Sequence, residues 1–157
     1  MTPALLAAEA RNSLELPAPE VGVNPDGLND NPALVNLPTW WWVENGQPMT
    51  QRTAVGPVWA EVTAQPVATI WVTSGGQRTD CAGLGMAWAP GMRELEPGSC
   101  SHTYLQANAD EVAQVQVVWQ VTWEGSGGTS GSLASFAIDG SVDVPVYERH
   151  AIVTSVS

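Results

Sequence analysis

Cys81 and Cys100 are the two cysteines of this 157-residue chain, and they bracket a Gly/Pro-rich loop that runs into Ser101-His102-Thr103-Tyr104. Thiols flanking one loop can close a disulfide, and a loop of about 20 residues gives such a bridge about 3 kcal/mol by restricting the unfolded chain. The alternative is a pair of reduced structural thiols. With one histidine nearby, the two sulfurs fall short of a closed zinc set, so no metal is expected.

Asp80, Ser99, Ser101 and His102 come near one another through that bridge and invite a serine-hydrolase reading. Such chemistry needs a nucleophile–base hydrogen bond and an oxyanion hole, and no Gly-x-Ser-x-Gly elbow is present. The expectation is instead that His102 caps the loop and that Tyr104 is a corner tyrosine anchoring backbone across a β-sandwich. Glu94 and Glu96 would make a glycosidase pair only in a walled cleft; a solvated acidic loop is expected. His150 carries no discernible chemistry. No catalytic residue and no cofactor is therefore expected.

Aromatic surface is the other chemical resource. Eight tryptophans stand against two tyrosines and one phenylalanine. Trp40, Trp41 and Trp42 are consecutive, and in a strand Trp41 must oppose the other two. One face is expected to be core; the other leaves an indole half-exposed, or covered by an N-terminal helix. Exposed indoles stack on sugar rings, so Trp40, Trp41, Trp42 and Trp88 are the candidate binding residues.

The elements that must position these residues are mostly strands. In residues 112–123, Val115, Val117, Trp119, Val121 and Trp123 share one face while Gln114, Gln116, Gln120 and Thr122 share the other. That period of two predicts a central strand with one wet face. Residues 58–64 and 67–72 read as two further strands. Residues 125–131 read as a turn, and 133–138 with 142–147 as a last hairpin joined at Asp139-Gly140. Trp71, Trp119 and Tyr104 are expected in the inter-sheet core. Thr2-Pro3 supplies an N-cap hydroxyl and a proline at the first helical position, predicting a short helix over residues 2 to about 14. Leu16-Pro17-Ala18-Pro19 forces an extended path, with a strand or strap at 20–23. Residues 24–32 are dense in turn formers, and their spacing does not match the calcium-loop pattern.

Length favours one domain able to bury roughly 68–70% of its unfolded surface. The formal charge of −11 is spread without blocks of like sign, which argues against binding a phosphate backbone and so against a nucleic-acid partner. No run reaches the roughly 18–20 apolar residues of a membrane span. The first fifteen residues lack a signal-peptide pattern; if the protein is exported, its signal is not in this sequence.

Residues 67–72, Gly75-Gly76, Ser101-His102-Thr103-Tyr104 and 115–123 together resemble the polycystic-kidney-disease (PKD) repeat, an immunoglobulin-like sandwich. Trp71 and His102-Thr103-Tyr104 match that family's landmarks, whereas the turn Ser74-Gly75-Gly76-Gln77 lacks its aspartate. The wider layout, with Leu37-Pro38-Thr39-Trp40-Trp41-Trp42-Val43, Cys81, Cys100, Trp119 and Trp123, is similar to secreted or surface proteins of actinomycetes carrying such a domain. The resemblance covers roughly residues 15–150. It implies a fold and an exported location without an activity.

The sequence thus predicts an all-β, immunoglobulin/PKD-like antiparallel sandwich with a short helix and one disulfide, residues 1–33 forming the helix and strap and 34–157 the sandwich. The expected function is a non-catalytic extracellular or cell-surface interaction module contacting a protein or a cell-envelope component. The alternative is a carbohydrate-binding module that uses exposed tryptophans to hold a glycan.

Overall fold

Proline at position 66 would ordinarily end a strand, yet residues on both sides of it belong to one 15-residue strand. A computed structural model of the chain describes residues 1–26, 31–92 and 99–148. In chain order they form α1 (Pro3–Asn12), β1 (Val21–Asn24), β2 (Ala33–Leu34), β3 (Pro38–Val43), β4 (Met49–Val55), β5 (Val58–Val72), β6 (Arg78–Ala82), β7 (Cys100–Thr103), β8 (Val112–Gly125), β9 (Thr129–Asp143) and β10 (Val146–Tyr147). The large sheet runs β4-β5-β8-β9 with β6 also on β5; the small one runs β1-β3-β7. Both are antiparallel.

The proline is absorbed by a bulge. Pro66 pairs with Trp119 and Ala68 with Val118, leaving Val67 unpaired, so the inward positions switch from Ala60, Val62 and Ala64 to Thr69 and Trp71. One extra residue reverses the alternation of side chains. Without it, the two halves of β5 would bury opposite faces. β9 carries a matching irregularity between Leu133 and Phe136 on the other side of Trp119. The residues expected to form two strands, 58–64 and 67–72, are therefore one strand, and the expected last hairpin is corrected to the continuous strand β9.

A 15-residue strand spans about 50 Å, so the large sheet needs two covers. α1 packs on one half through Leu6, Ala7 and Ala10. Thr2 caps it, its hydroxyl accepting from the Leu5 amide at 3.2 Å, and the orphan amides at the helix start account for that choice. The small sheet covers the other half, with Thr39, Trp41 and Val43 facing inward. Helix and sheets share one core cluster, so the segment 1–33 supplies a helix, strand β1 and part of β2 to the same core. β2 and β10 pair in parallel, a departure from the expected wholly antiparallel arrangement. Among the described residues, no helix is long and apolar enough to cross a membrane.

A disulfide fastens the two sheets at one side. Cys81 of β6 and Cys100 of β7 form the expected disulfide, Cα atoms 5.9 Å apart, which joins the edge of one sheet to the edge of the other. Within the small sheet, Asn45 after β3 pins the strap that leads into β1, accepting from the Glu20 amide at 2.7 Å and donating to the Ala18 carbonyl at 2.8 Å.

Candidate binding site

An aromatic column fills the gap between the sheets. Trp71 of β5 stacks on Trp41 of β3 with centroids 5.1 Å apart. His102 also stacks on Trp41, 5.8 Å away and parallel to within 6°, and Tyr104 meets His102 edge-on at 4.6 Å. The registers impose this order: Trp41 pairs with Cys100 and Thr39 with His102, so all four side chains point to one face. Trp71, Trp119 and Tyr104 are buried as the sequence predicts.

The roles expected for His102 and Tyr104 are corrected. His102 does not cap a loop; it is a stacked ring whose Nε2 has no hydrogen-bond partner, and the buried Tyr104 hydroxyl likewise has none, so it anchors no backbone as a corner tyrosine would. Burial holds the imidazole below its usual range against the opposing pull of Glu111. Burial, and then Glu111, push the phenol upward. Asp80, Ser99 and Ser101 line one pocket of about 310 Å³ beside the disulfide, with Asp80 in an exposed pair with Arg78, 2.6 Å apart; His102 is not in that lining, and the base of the hydrolase constellation does not join the other three. Glu94, Glu96 and His150 lie outside the described residues.

The three consecutive indoles alternate as expected, but their exposure differs from the platform proposed for them. Trp41 is fully buried and Trp40 is 2% exposed, which removes both from any exposed sugar-stacking face. Trp40 lies outside the core cluster and lines a pocket of about 220 Å³ with Pro25, Leu37, Trp88 and Met92. Trp42 is half-buried over Gly22, where an added Cβ would lie 2.1 Å from the indole, and its Nε1 donates to Glu44 at 3.3 Å. Trp88 is half-exposed.

A polar pocket of about 460 Å³ opens at the end of the sheets beside Tyr104. Its walls are two turns, Thr73–Gln77 and the segment from Tyr104 to Glu111. Thr73 steadies the first by accepting from the Gln77 amide at 3.2 Å. Glu111 ties the two together, its Oε2 accepting from the Ser74 amide at 2.8 Å and its Oε1 from Asn108 Nδ2 at 3.5 Å. Ser74 Oγ in turn accepts from the Val112 amide at 2.9 Å. Glu111 is 5% exposed, and no Lys, Arg or His lines the pocket. An ionised carboxylate is seldom buried without an opposite charge. Sequence reasoning passed over Glu111; the available signal was the acidic pair Asp110-Glu111 between the turn residues Asn108-Ala109 and the first valine of a long alternating strand.

Among the described residues, no group of three or more His, Cys, Asp or Glu could hold a metal ion. The chain matches no family model, no curated protein and no solved structure.

Proposed function

We propose that this chain is a non-catalytic interaction module of an extracellular or cell-surface protein, built on an immunoglobulin/PKD-like sandwich. It works by presenting the turn-borne end around the Tyr104–Glu111 pocket to a protein or cell-envelope component. The observation that carries this reading is the pocket, a recess between two turns lined by a buried acid and a buried, unpartnered tyrosine, on strands held rigid by a disulfide and an aromatic column. Binding residues characteristically sit on loops positioned by such scaffolds. The Cys81–Cys100 bridge supports the exported location, since disulfides persist in oxidising compartments.

The test is retention of a cell-envelope fraction on the immobilised protein. Leu105→Ser and Gly75→Arg alter the pocket rim and should abolish retention without changing the melting temperature, whereas Ser130→Arg at the far end of the sheet should leave it intact. Equal retention by all three would overturn the placement.

The carbohydrate reading now rests on Trp42 and Trp88. Trp88 favours it, because its half-exposed ring borders an apolar pocket with Met92. Quenching or blue shift of tryptophan fluorescence by soluble cell-wall glycans, lost in Trp88→Ala, is the outcome it requires.

A further inference from the structure

We propose that the pocket between the Thr73–Gln77 turn and the Tyr104–Glu111 segment binds a primary alkylammonium group, with Glu111 as its counter-ion and the Tyr104 hydroxyl as a second acceptor. This rests on reading that end of the molecule as the contact surface. It names the chemistry that would be recognised there.

Three observations converge. Glu111 is 5% exposed and lines the pocket, and its two hydrogen bonds, from the Ser74 amide and the Asn108 amide group, come from neutral donors. A carboxylate offers about four acceptor positions, so capacity remains, and its charge is opposed by no cation in the lining. Second, Tyr104 is 3% exposed and its hydroxyl has no partner, although a buried hydroxyl ordinarily finds one. Third, Leu105 stands 69% exposed at the rim, next to Ala107 in the same lining.

An ammonium answers all three. It brings a compact positive charge and three donors on an apolar stem, enough to serve Glu111 and Tyr104 together while the stem lies along Leu105 and Ala107. The chain itself contains no lysine and carries a formal charge of −11, so it cannot fill the site with its own ammonium side chain, and long-range attraction favours a cation. Two sources share this chemistry: a lysine side chain of a protein partner, and a free small amine.

The experiment is a titration of the ¹⁵N-labelled full chain followed by amide chemical shifts. The probes are Nα-acetyl-lysine-N-methylamide, the matching norleucine derivative, which has an apolar side chain without the ammonium, and n-butylamine. The lysine derivative should shift amides of Ser74 to Gln77 and Leu105 to Glu111, and the norleucine derivative should not. Glu111→Gln keeps an acceptor for the Ser74 amide and should weaken binding about tenfold, the loss expected for one hydrogen bond to a charged group. Tyr104→Phe should weaken it less. Tighter binding of the lysine derivative than of n-butylamine identifies a partner lysine as the source; equal binding identifies a free amine. Shifts elsewhere, no shifts, or an equal response to norleucine overturns the proposal. The norleucine comparison needs no variant, so it decides even if Glu111→Gln fails to fold. Failure here with envelope retention intact would leave the broader function standing.

Discussion

Trp41 and Trp71 stack across the gap between the two sheets, ring centroids 5.1 Å apart and planes inclined by 16°. Both are fully buried, and Trp71 completes its polar needs within its own strand by donating Nε1–H to Thr69 Oγ1 at 3.0 Å. The contact joins the sheets at their centre, while the disulfide joins them at an edge.

Trp71→Ala should therefore destabilise the protein by about 3–5 kcal/mol, through lost burial and the cavity left behind. A cycle with Trp41→Phe should show a coupling of about 0.5–1.5 kcal/mol for the ring contact itself. Urea denaturation of the four proteins checks both figures. A loss under about 1 kcal/mol for Trp71→Ala would mean that the strand does not bury this face.

Reduction of Cys81–Cys100 should lower stability by about 3 kcal/mol, the chain-entropy value for a loop of this length. The intact mass should rise by two hydrogens on reduction, and the native protein should resist alkylation until reduced. Free thiols in the untreated protein would contradict the bridge.

The pairing face of β8 was legible because that strand has one wet side: Gln114, Gln116 and Gln120 mark the solvent as clearly as Val115, Val117 and Trp119 mark the core. β5 was legible only in halves, because a proline reads as an end unless a neighbouring strand accommodates a bulge, and that depends on pairing with β8. β9 was hidden for a different reason. Its Gly, Ser and Asp residues carry turn signals locally, yet Asp139 and Gly140 pair with Gln116 and Val115 as ordinary ladder residues.

The candidate site was less legible than the fold. Trp40 has the sequence of an exposed indole, yet it is buried in a pocket whose lining brings Asn24, Pro25 and the distant Trp88 and Met92 together. Glu111 reads as a loop acid, and nothing local reveals that the Ser74 turn, 37 residues away, supplies its amide donor. Both depend on long-range contacts that periodicity and spacing do not encode.

Acid and alkali should probe two adjacent rings of the column, His102 and Tyr104. The folded His102 binds a proton less readily than the unfolded one because of burial. Its stabilising contribution is complete above the ordinary value of 6.5 and is lost as pH falls from there toward the lower folded value, where the unfolded chain binds the extra proton. Tyr104 behaves in reverse. Its phenol is held above its ordinary 10.0, so stability is complete below that value and falls as pH rises beyond it. Melting temperature measured across pH should show an acid limb that His102→Gln flattens and an alkaline limb that Tyr104→Phe flattens; limbs unchanged in the variants would assign them to other groups.

Gly85 offers the sharpest backbone test. It has φ of +81° and bridges to Trp42, holding the segment that leads to Trp88 against β3, and its neighbour Leu84 accepts from the Val43 amide at 2.9 Å. A Cβ at Gly85 would lie 2.7 Å from the Trp41 carbonyl oxygen and 3.2 Å from Trp42 Cα, both backbone atoms that cannot swing aside. Left-handed backbone strain and this clash act together, so Gly85→Ala should cost about 1–3 kcal/mol. Gly76 is the control, because it has φ of +85° with nothing within 4 Å of an added Cβ. Gly76→Ala should therefore suffer the strain alone, about 1 kcal/mol. The difference between the two variants in denaturant midpoint measures how closely the segment is seated on β3; equal losses would show that it does not press on the strand at all.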